Sequence, residues 1–450
     1  MDILDLLRRS EGKTLEFKRD LSSPKGVLHT LVAFANTAGG ILLIGVEDKS
    51  HNVRGVTNPL DLEEKLANLI SDSISPRLLP EVEILSWRQS QLLGIQIYPS
   101  PNRPHFIKKE GLERGAYVRV DSTNRRADKE LIEGMQRFAQ GETYDEQAMP
   151  DLNSEDIDFR AASELFAPER ILKPKDLETL RLITPHQGRK VPTVGGFLLF
   201  GRNRERYFPD VWIQAGRFQG TNKTHIADQS QIKLHLPAAV DAAVEFVNKH
   251  TLHGVEIGAV RRVEQWNLPP AAVREAIINA LAHADYAERG APTRISIFDD
   301  RLEIENPGLL LFGLTVDDLR QGISKLRNRV IGRVFHELGL VEQWGSGIQR
   351  IVTTCREAGL DEPRFEELGT RFRVTLYTTK RHSPTADSVD LTILEMMNAE
   401  HGLSTQEIAT AIGLTPRATR TRLSKLVNRG LVREIGTSPQ DPRRRYFSTG

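Results

Sequence analysis

The segment REAIINALAHADY, residues 274–286, has the composition of a helix with one unusual polar side. Glu275, Asn279 and His283 are spaced by four residues, so their side chains lie about 40° apart around a helix and share one stripe. The opposite side is apolar and consists of Val273, Ile277 and Leu281. One alternative is an ordinary amphipathic helix with a solvated polar side, but Lys and Arg usually cover such a side. The pattern favours a helix whose polar side lines a site.

Two later segments place glycines where a phosphate-binding site needs them. IENPG has Asn306 and Gly308 at the end of a predicted strand, and EQWGSGIQRI has Gly345, Ser346 and Gly347 directly before a predicted helix. Glycine lets backbone N–H groups approach phosphate oxygens, and the helix dipole favours negative charge at the helix N-terminus. A polar helix, a strand with a glycine turn and a glycine loop before a helix together predict a nucleotide-binding site.

The composition bounds the class of protein. A chain of 450 residues predicts about three domains at roughly 150 residues each. Its 61 Lys and Arg residues balance 60 Asp and Glu residues, so attraction to nucleic acid has to come from a local patch. The single cysteine, Cys355, excludes an internal disulfide and is predicted to be a buried, inert thiol. No secretion signal or run of roughly 18 apolar residues is apparent, so we expect a cytoplasmic protein without a membrane partner.

The order of predicted elements gives an α+β fold class in three units. The first unit, residues 1–140, alternates strands such as TLEFK, ILLIGVED and GAYVRV with helices. Residues 141–190 are predicted to be a linker and helical connection, because residues 141–158 are acidic and have no apolar period. The second unit, residues 191–378, begins with VGGFLLFG as a predicted strand, and a polar hinge precedes the third unit, residues 388–450.

The third unit has three short predicted helices followed by a hairpin, and a capping box of Ser404 and Glu407 begins its second helix. From Thr415 to Gly450, nine basic residues stand against two acidic ones, a local charge of +7 (9 − 2). This unit resembles the winged helix-turn-helix of transcription factors, which implies binding to double-stranded DNA through phosphate and groove contacts. The alternative is a winged helix that contacts only proteins. The predicted DNA-binding residues are Arg417, Thr419, Arg420, Thr421, Lys425, Arg443, Arg444 and Arg445.

The second unit resembles the ATP-binding domain of the gyrase, chaperone, histidine kinase and MutL (GHKL) superfamily, in the divergent branch labelled RecG C-terminal-like. REAIINALAHADY, ENPG and RNRVIGRVFHELGLVEQWGSGIQRI carry the resemblance. It implies a Bergerat-like α/β sandwich that binds ATP and Mg²⁺. Asn279 would bind the magnesium ion, Glu275 would orient a water molecule, and the 345–347 loop would wrap the phosphates. Asn306 replaces the usual adenine-binding Asp, so we expect binding without fast hydrolysis; no P-loop motif occurs.

The first unit resembles the Schlafen AlbA_2 domain over residues 1–135. SEGKTLEFKRD and AFANTAGGILLIGVEDKSHNVRGV carry this resemblance. In Schlafen ribonucleases, three acidic residues hold a metal ion, and Glu11, Glu16 and Asp48 stand at the matching positions. The alternative interpretation is that Glu16 and Lys18 form a structural ion pair in a domain that only binds nucleic acid or a protein partner.

The leading hypothesis is a nucleotide-responsive, DNA-binding transcriptional regulator, and the habit of the resembled family implies a homodimer. The rival hypothesis is a metal-dependent Schlafen-type nuclease that acts on RNA, such as tRNA in phage defence, under the control of ATP. A third hypothesis is a weak ATPase that drives assembly. The three hypotheses share ATP as a ligand and differ in what the first and third units do.

Overall fold

The computed structural model describes residues 1–48, 51–257, 262–341, 347–378, 388–397, 402–428, 431–435 and 444–448. The chain divides into two compact units: Met1–Ile132 together with His382–Gly450, and Glu133–Arg381. No helix in these described ranges is long and apolar enough to span a membrane.

The N-terminal part of the first unit is built on a four-stranded sheet with the order β1-β2-β5-β4. Strands β1 and β2 are parallel, and the other pairs are antiparallel. The elements are α1 (Ile3–Arg8), β1 (Leu15–Lys18), α2 (Pro24–Asn36), β2 (Gly40–Ile44), α3 (Pro59–Ser73), β3 (Ile74–Ser75), β4 (Glu81–Trp87), β5 (Ser90–Ile97), β6 (Phe106–Ile107), α4 (Leu112–Gly115), β7 (Tyr117–Val120) and β8 (Thr123–Arg126). Helix α5 (Lys129–Ala139) begins in the first unit and continues into the second.

Successive side chains of a strand point to opposite faces of the sheet. Apolar side chains alternate between two separate cores here, so both faces of this sheet are apolar. In β2, Leu42 and Ile44 pack against α2 and α3, whereas Leu43 faces the other way, towards α1. Gly39 allows the sharp entry into β2: its φ is +77°, and a Cβ there would lie 2.7 Å from the carbonyl oxygen of Ile97. The face of the sheet that carries Leu43 is too large to be buried by the six residues of α1 alone.

The C-terminal part of the first unit supplies that cover. It is a winged helix made of α15 (Ser388–Met397), α16 (Thr405–Ile412), α17 (Pro416–Asn428), β19 (Val432–Ile435) and β20 (Arg445–Ser448). Ile435 and Phe447 of its hairpin share a core with Leu6, Leu7 and Phe17 of the N-terminal part. The winged helix is therefore packed on the AlbA_2-like sheet through its hairpin. Within the predicted hinge, residues 378–390, positions 379–387 lie outside the described residues. Its last three residues, 388–390, begin α15 and are therefore helical, contrary to the prediction.

The second unit contains a six-stranded sheet with the order β12-β11-β15-β16-β18-β17, in which β11 and β15 are parallel and the other pairs antiparallel. Helices α10, α11 and α14 contribute buried residues to its core. The elements are α6 (Phe159–Phe166), α7 (Asp176–Thr179), β9 (Ile183–His186), β10 (Arg189–Pro192), α8 (Val194–Phe200), α9 (Arg204–Tyr207), β11 (Ile213–Phe218), β12 (Ile226–Ile232), α10 (Leu236–Thr251), β13 (Leu252–Ile257), β14 (Arg262–Trp266), α11 (Pro270–Ala282), β15 (Thr293–Ile297), β16 (Arg301–Pro307), α12 (Val316–Arg320), α13 (Arg329–Glu337), α14 (Gly347–Glu357), β17 (Arg364–Leu368) and β18 (Arg371–Tyr377).

The structure differs from the prediction that residues 141–158 are a linker. Asp145 is fully buried and accepts hydrogen bonds from the backbone N–H groups of Arg329, Val330 and Ile331, at 3.0, 2.7 and 3.0 Å. These donors are the first N–H groups of α13, which have no partner within the helix. The acidic segment therefore caps a helix of the second unit and belongs to it.

The prediction of a strand at VGGFLLFG is wrong, because Val194–Phe200 forms α8. All seven residues are buried, so the segment has no polar face from which helical or strand periodicity could be recognised. The Thr193 hydroxyl accepts a hydrogen bond from Gly196 N–H and starts the helix. Gly196 is required there, since a Cβ would lie 2.0 Å from the carbonyl oxygen of Leu182.

Candidate nucleotide-binding site and nucleic-acid surfaces

Helix α11 carries the polar stripe that the sequence indicates. Its apolar residues Val273, Ile277 and Leu281 are buried in the core of the second unit. Glu275, Asn279 and His283 line a cavity of about 820 Å³. The alternative of a solvated stripe is therefore wrong for the described structure, since the Glu275 side chain is only 12 % exposed.

A hydrogen bond fixes the orientation of the Asn279 side chain. Asn279 Nδ2 donates to Glu275 Oε1 at 3.1 Å, one helical turn away. The amide group is thereby oriented with Oδ1 as its remaining acceptor. An amide oxygen is a hard donor of the kind that Mg²⁺ binds, so this residue fits the cofactor that the resemblance implies.

The glycine loop meets this pair at Gly347, the first residue of α14. A Cβ added to Gly347 would lie 2.0 Å from Glu275 Oε1 and 3.2 Å from Asn279 Nδ2. Only glycine leaves room for the carboxylate in its present position. Gly345 and Ser346, the other predicted members of the loop, lie outside the described residues.

Asn306 and Gly308 lie at the end of β16 and also line the cavity. Asn306 is buried, and its Nδ2 donates to the carbonyl oxygen of Pro307 at 3.0 Å. Gly308 has a φ of +95°, and a Cβ there would lie 2.7 Å from the Cβ of Asp285. The turn after β16 is thus closed by a residue with a conformation that favours glycine.

His283 ends α11, where its N–H group donates to the carbonyl oxygen of Asn279 at 3.0 Å. The buried Asn328 side chain donates to the carbonyl oxygens of Ala282 and Ala284, at 3.0 and 2.8 Å, and so holds the backbone on both sides of His283. Burial, assisted by the Arg327 charge, lowers the pKa of His283 to about 4. The imidazole is neutral at pH 7 and adds no positive charge to the site.

The cavity has the mixed character that a nucleotide requires. Its volume lies within the range of roughly 300–1,000 Å³ that is usual for small-molecule sites. Six cationic residues stand against the acidic Glu275 and Glu337 in the lining: Arg170, Lys325, Arg327, Arg329, Arg333 and Arg350. The apolar lining comprises Leu180, Ala280, Ala282, Leu309, Leu310, Leu311, Leu314, Leu319, Leu326, Val341, Ile348, Phe372 and Val374. Apolar walls suit a base, and the cations suit phosphates.

Arg350 is a site residue that the sequence interpretation missed. Its Nη1 lies 3.7 Å from Glu275 Oε2, across the gap between α14 and α11. Helical spacing gave a usable signal, because residues 347 and 350 are three apart and share one face of α14. Arg327 was missed as well; its Nη1 lies 3.0 Å from Asp285 Oδ2.

Two of the three predicted nuclease carboxylates, Glu16 and Asp48, are paired with cations, whereas Glu11 accepts from the backbone N–H of Phe17 at 2.8 Å. Glu16 Oε1 accepts from Lys18 Nζ at 2.5 Å, and Glu16 Oε2 accepts from the buried Arg119. Lys18 Nζ also lies 3.3 Å from Asp48 Oδ2. Burial, with repulsion from Glu16 and Asp48, raises the pKa of Glu11. The structural ion pair of Glu16 and Lys18 is confirmed. Among the described residues, no group of three or more His, Cys, Asp and Glu side chains could hold a metal ion.

Helix α17 presents a basic face. Arg417, Arg420, Thr421 and Lys425 are exposed. Thr419, however, is fully buried, and its hydroxyl donates to the carbonyl oxygen of Thr415 at 3.0 Å. The prediction that Thr419 contacts DNA is therefore wrong, because the side chain faces the core of the winged helix.

The hairpin contributes less free positive charge than the count of basic residues indicates. Arg444 pairs with Glu434 at 2.9 Å and Arg445 with Glu407 at 3.1 Å. Arg433 donates to the carbonyl oxygen of Leu7 at 3.1 Å and to Ser10 Oγ at 2.6 Å, so it anchors the winged helix to α1. Arg443 lies outside the described residues.

Three parts of the chain match protein-family models. Residues 11–128 match the model described as "Schlafen, AlbA_2", residues 290–376 match "Putative ATP-dependent DNA helicase recG C-terminal", and residues 387–433 match "Winged helix-turn-helix DNA-binding". The chain therefore contains regions similar to an AlbA_2 domain, to a RecG C-terminal domain and to a winged helix-turn-helix. The second match begins after α11, so the roles of Glu275 and Asn279 depend on the geometry of the cavity.

Two solved structures illustrate the similarity of this chain to known structures, one over nearly the whole chain and one over a part of it. The DIP2311 protein from Corynebacterium diphtheriae is 18% identical, with a TM-score of 0.44 over 92% of this chain and 87% of that one. The N-terminal domain of an ATP-dependent DNA helicase RecG-related protein from Nitrosomonas europaea is 28% identical, with a TM-score of 0.23 over 27% of this chain and 91% of that one. No curated protein matches the chain.

Proposed function

We propose that this chain is a nucleotide-responsive, DNA-binding transcriptional regulator. In this proposal the second unit binds ATP with Mg²⁺, and the winged helix binds double-stranded DNA. The contact of Gly347 with Glu275 and Asn279 in the cavity wall carries the proposal, because it joins the polar helix to the start of the glycine-led helix.

The cavity supports ATP as the ligand through its two kinds of lining. The base and ribose would lie against the apolar residues that follow β16, and the phosphates would lie near Gly347 and the arginines. The N-terminus of α14 would add favourable interactions with phosphate oxygens.

Asn279 would hold Mg²⁺ through Oδ1, and a bound magnesium ion would neutralise part of the phosphate charge. Glu275 lies one turn away, where its carboxylate could orient a water molecule. With Asn306 in place of a carboxylate at the base, slow turnover is expected. A ligand that persists on the protein suits a regulator.

The winged helix supports DNA as the partner. Three cations, Arg417, Arg420 and Lys425, are exposed on α17, while the whole chain is nearly neutral. Each phosphate that such a cation neutralises releases counterions from DNA, which supplies affinity without sequence preference. The hydroxyl of exposed Thr421 donates to the carbonyl oxygen of Arg417 at 3.2 Å, so in this conformation it can accept a hydrogen bond from a base.

Regulation requires that ATP bind two arrangements of the protein with different affinity. We propose that the chain forms a homodimer and that ATP shifts the relative arrangement of its two winged helices on paired half-sites. A gel-shift titration tests this, with a 30-base-pair duplex selected from a random pool by the full-length protein. The proposal predicts that ATP with Mg²⁺ changes the DNA affinity at least threefold; equal affinity with and without ATP would refute the switch.

A further inference from the structure

The ion pair of Arg350 and Glu275 indicates how the proposed nucleotide site would distinguish one nucleotide from another. This inference rests on the proposed function, because both residues line the same cavity. Arg350 Nη1 is 3.7 Å from Glu275 Oε2, and both side chains line the cavity. The Glu275 side chain is 12 % exposed and that of Arg350 is 38 % exposed, so the carboxylate is held inside while the guanidinium reaches the open space.

The position of Arg350 follows from the helix that carries it. Gly347 and Arg350 are three residues apart in α14, so they share the face of the helix that meets α11. Gly347 lies directly against the Glu275 carboxylate, which leaves space for Arg350 to approach the same carboxylate from the next turn. The absence of a side chain at residue 347 and the long side chain at residue 350 together allow α14 to contact the Glu275 carboxylate at two points.

The electrostatics of this pair favour exchange of one anion for another. At 3.7 Å the contact is an ion pair but not a close, bidentate one. A guanidinium binds phosphate oxygens through paired N–H donors, and a terminal phosphate carries more charge than one carboxylate. A phosphate that enters the cavity therefore competes well with Glu275 for Arg350.

We propose that Arg350 binds the terminal phosphate of the nucleotide and that Glu275 is its intramolecular stand-in for that phosphate. When Arg350 turns to the phosphate, Glu275 loses a cationic partner and becomes available to a water molecule beside the same phosphate. Arg350 is then the residue that distinguishes a nucleoside triphosphate from a diphosphate.

Isothermal titration of the full-length protein with ATP and with ADP, each with Mg²⁺, tests the assignment. In Arg350→Gln we expect ATP affinity to fall by roughly tenfold to a hundredfold and ADP affinity to fall less than threefold, since a charge-assisted contact to one phosphate is lost. The matched control is Arg356→Gln, which removes an exposed arginine of the same helix outside the cavity. It should bind both nucleotides as the wild type does.

A second variant tests the stand-in role. Glu275→Gln removes the charge that competes for Arg350 but keeps a side-chain oxygen that can accept from Asn279 Nδ2, so it is expected to bind ATP at least as tightly as the wild type. A weaker affinity for ATP in this variant would overturn the stand-in role. Equal losses for ATP and ADP in Arg350→Gln, or no loss, would overturn the assignment of Arg350. Absence of ATP binding by the wild type would instead refute the proposed function itself.

Discussion

Gly347 faces the carboxylate of Glu275 so closely that a Cβ added to the glycine would lie 2.0 Å from Oε1. The atom in the way is the end of a flexible side chain, and Gly347 lies at the start of a helix. In Gly347→Ala, Glu275 can turn aside at little cost, while alanine favours the helix. We therefore expect the free energy of unfolding to change by less than about 1 kcal/mol.

Nucleotide binding should respond differently to the same substitution. Displacing Glu275 also removes the acceptor that orients Asn279, so we expect Gly347→Ala to weaken ATP binding at least tenfold in a calorimetric titration. Gly134→Ala is the control, because the atom nearest to a Cβ added there is an arginine side-chain nitrogen at 3.8 Å, an ordinary van der Waals distance. Unchanged ATP affinity in Gly347→Ala would show that the contact is only structural.

The exposed arginines of α17 are predicted to bind DNA phosphates. In Arg417→Ala and Arg420→Ala, DNA affinity should fall, and the slope of log K against log salt should become shallower by about 1 for each lost contact. Thr419→Ala should instead lower stability, since its hydroxyl is buried. Fluorescence anisotropy over a series of salt concentrations measures the slopes; identical slopes for wild type and both arginine variants would exclude α17 as the DNA-binding surface.

Arg433 is predicted to fix the winged helix on α1 and the residues that follow it. Its guanidinium donates to Leu7 and Ser10, and burial lowers its pKa to about 10. Removing it in Arg433→Ala leaves the acceptors without this donor, at a cost of about 2 kcal/mol. Hydrogen exchange of α1 and β19 should become faster, whereas in Arg417→Ala it should not. Equal exchange rates in the two variants would mean that the apolar contacts of Ile435 and Phe447 hold the winged helix in place without Arg433.

His283 predicts a pH dependence of stability. Its pKa is lowered from 6.5 to about 4 in the folded protein, so between these values the unfolded state binds more protons. The free energy of unfolding therefore does not depend on His283 above pH 6.5, where the imidazole is neutral in both states. It falls as the pH is lowered from 6.5 towards 4, by up to roughly 3 kcal/mol. Urea titrations from pH 4 to pH 7 should show a shallower dependence in His283→Asn than in the exposed control His336→Asn. If the free energy of unfolding depends on pH equally in the two variants, His283 is not the origin of the pH dependence.

Local patterns predicted much of the fold and of the site. The stripe on α11 follows from helical spacing, and the Ser404 and Glu407 capping box begins α16 as predicted. Cys355 is buried, as its surroundings indicated, and burial raises the pKa of its thiol to about 11. In each case the informative residues lie within one or two helical turns of each other.

Long-range contacts account for what the sequence did not reveal. Asp145 caps α13 across 184 residues, so its segment had the composition of a linker. Arg350 meets Glu275 only when α14 packs on α11. Thr419 stands at a position in the sequence where a DNA-contacting residue is expected, but the packing of α17 buries its side chain. Such contacts depend on how elements pack, and a single sequence does not specify that packing by periodicity alone.

The central claim is that Glu275, Asn279 and Gly347 form the wall of an ATP site. Calorimetric titration of the full-length protein with ATP and Mg²⁺ tests it most directly, with Asn279→Ala as the variant and surface Arg274→Gln, on the same helix, as the control. We predict saturable binding of one ATP per chain, retained in Arg274→Gln and weakened at least tenfold in Asn279→Ala. No heat of binding by the wild type, or equal affinity in wild type and Asn279→Ala, would contradict the claim.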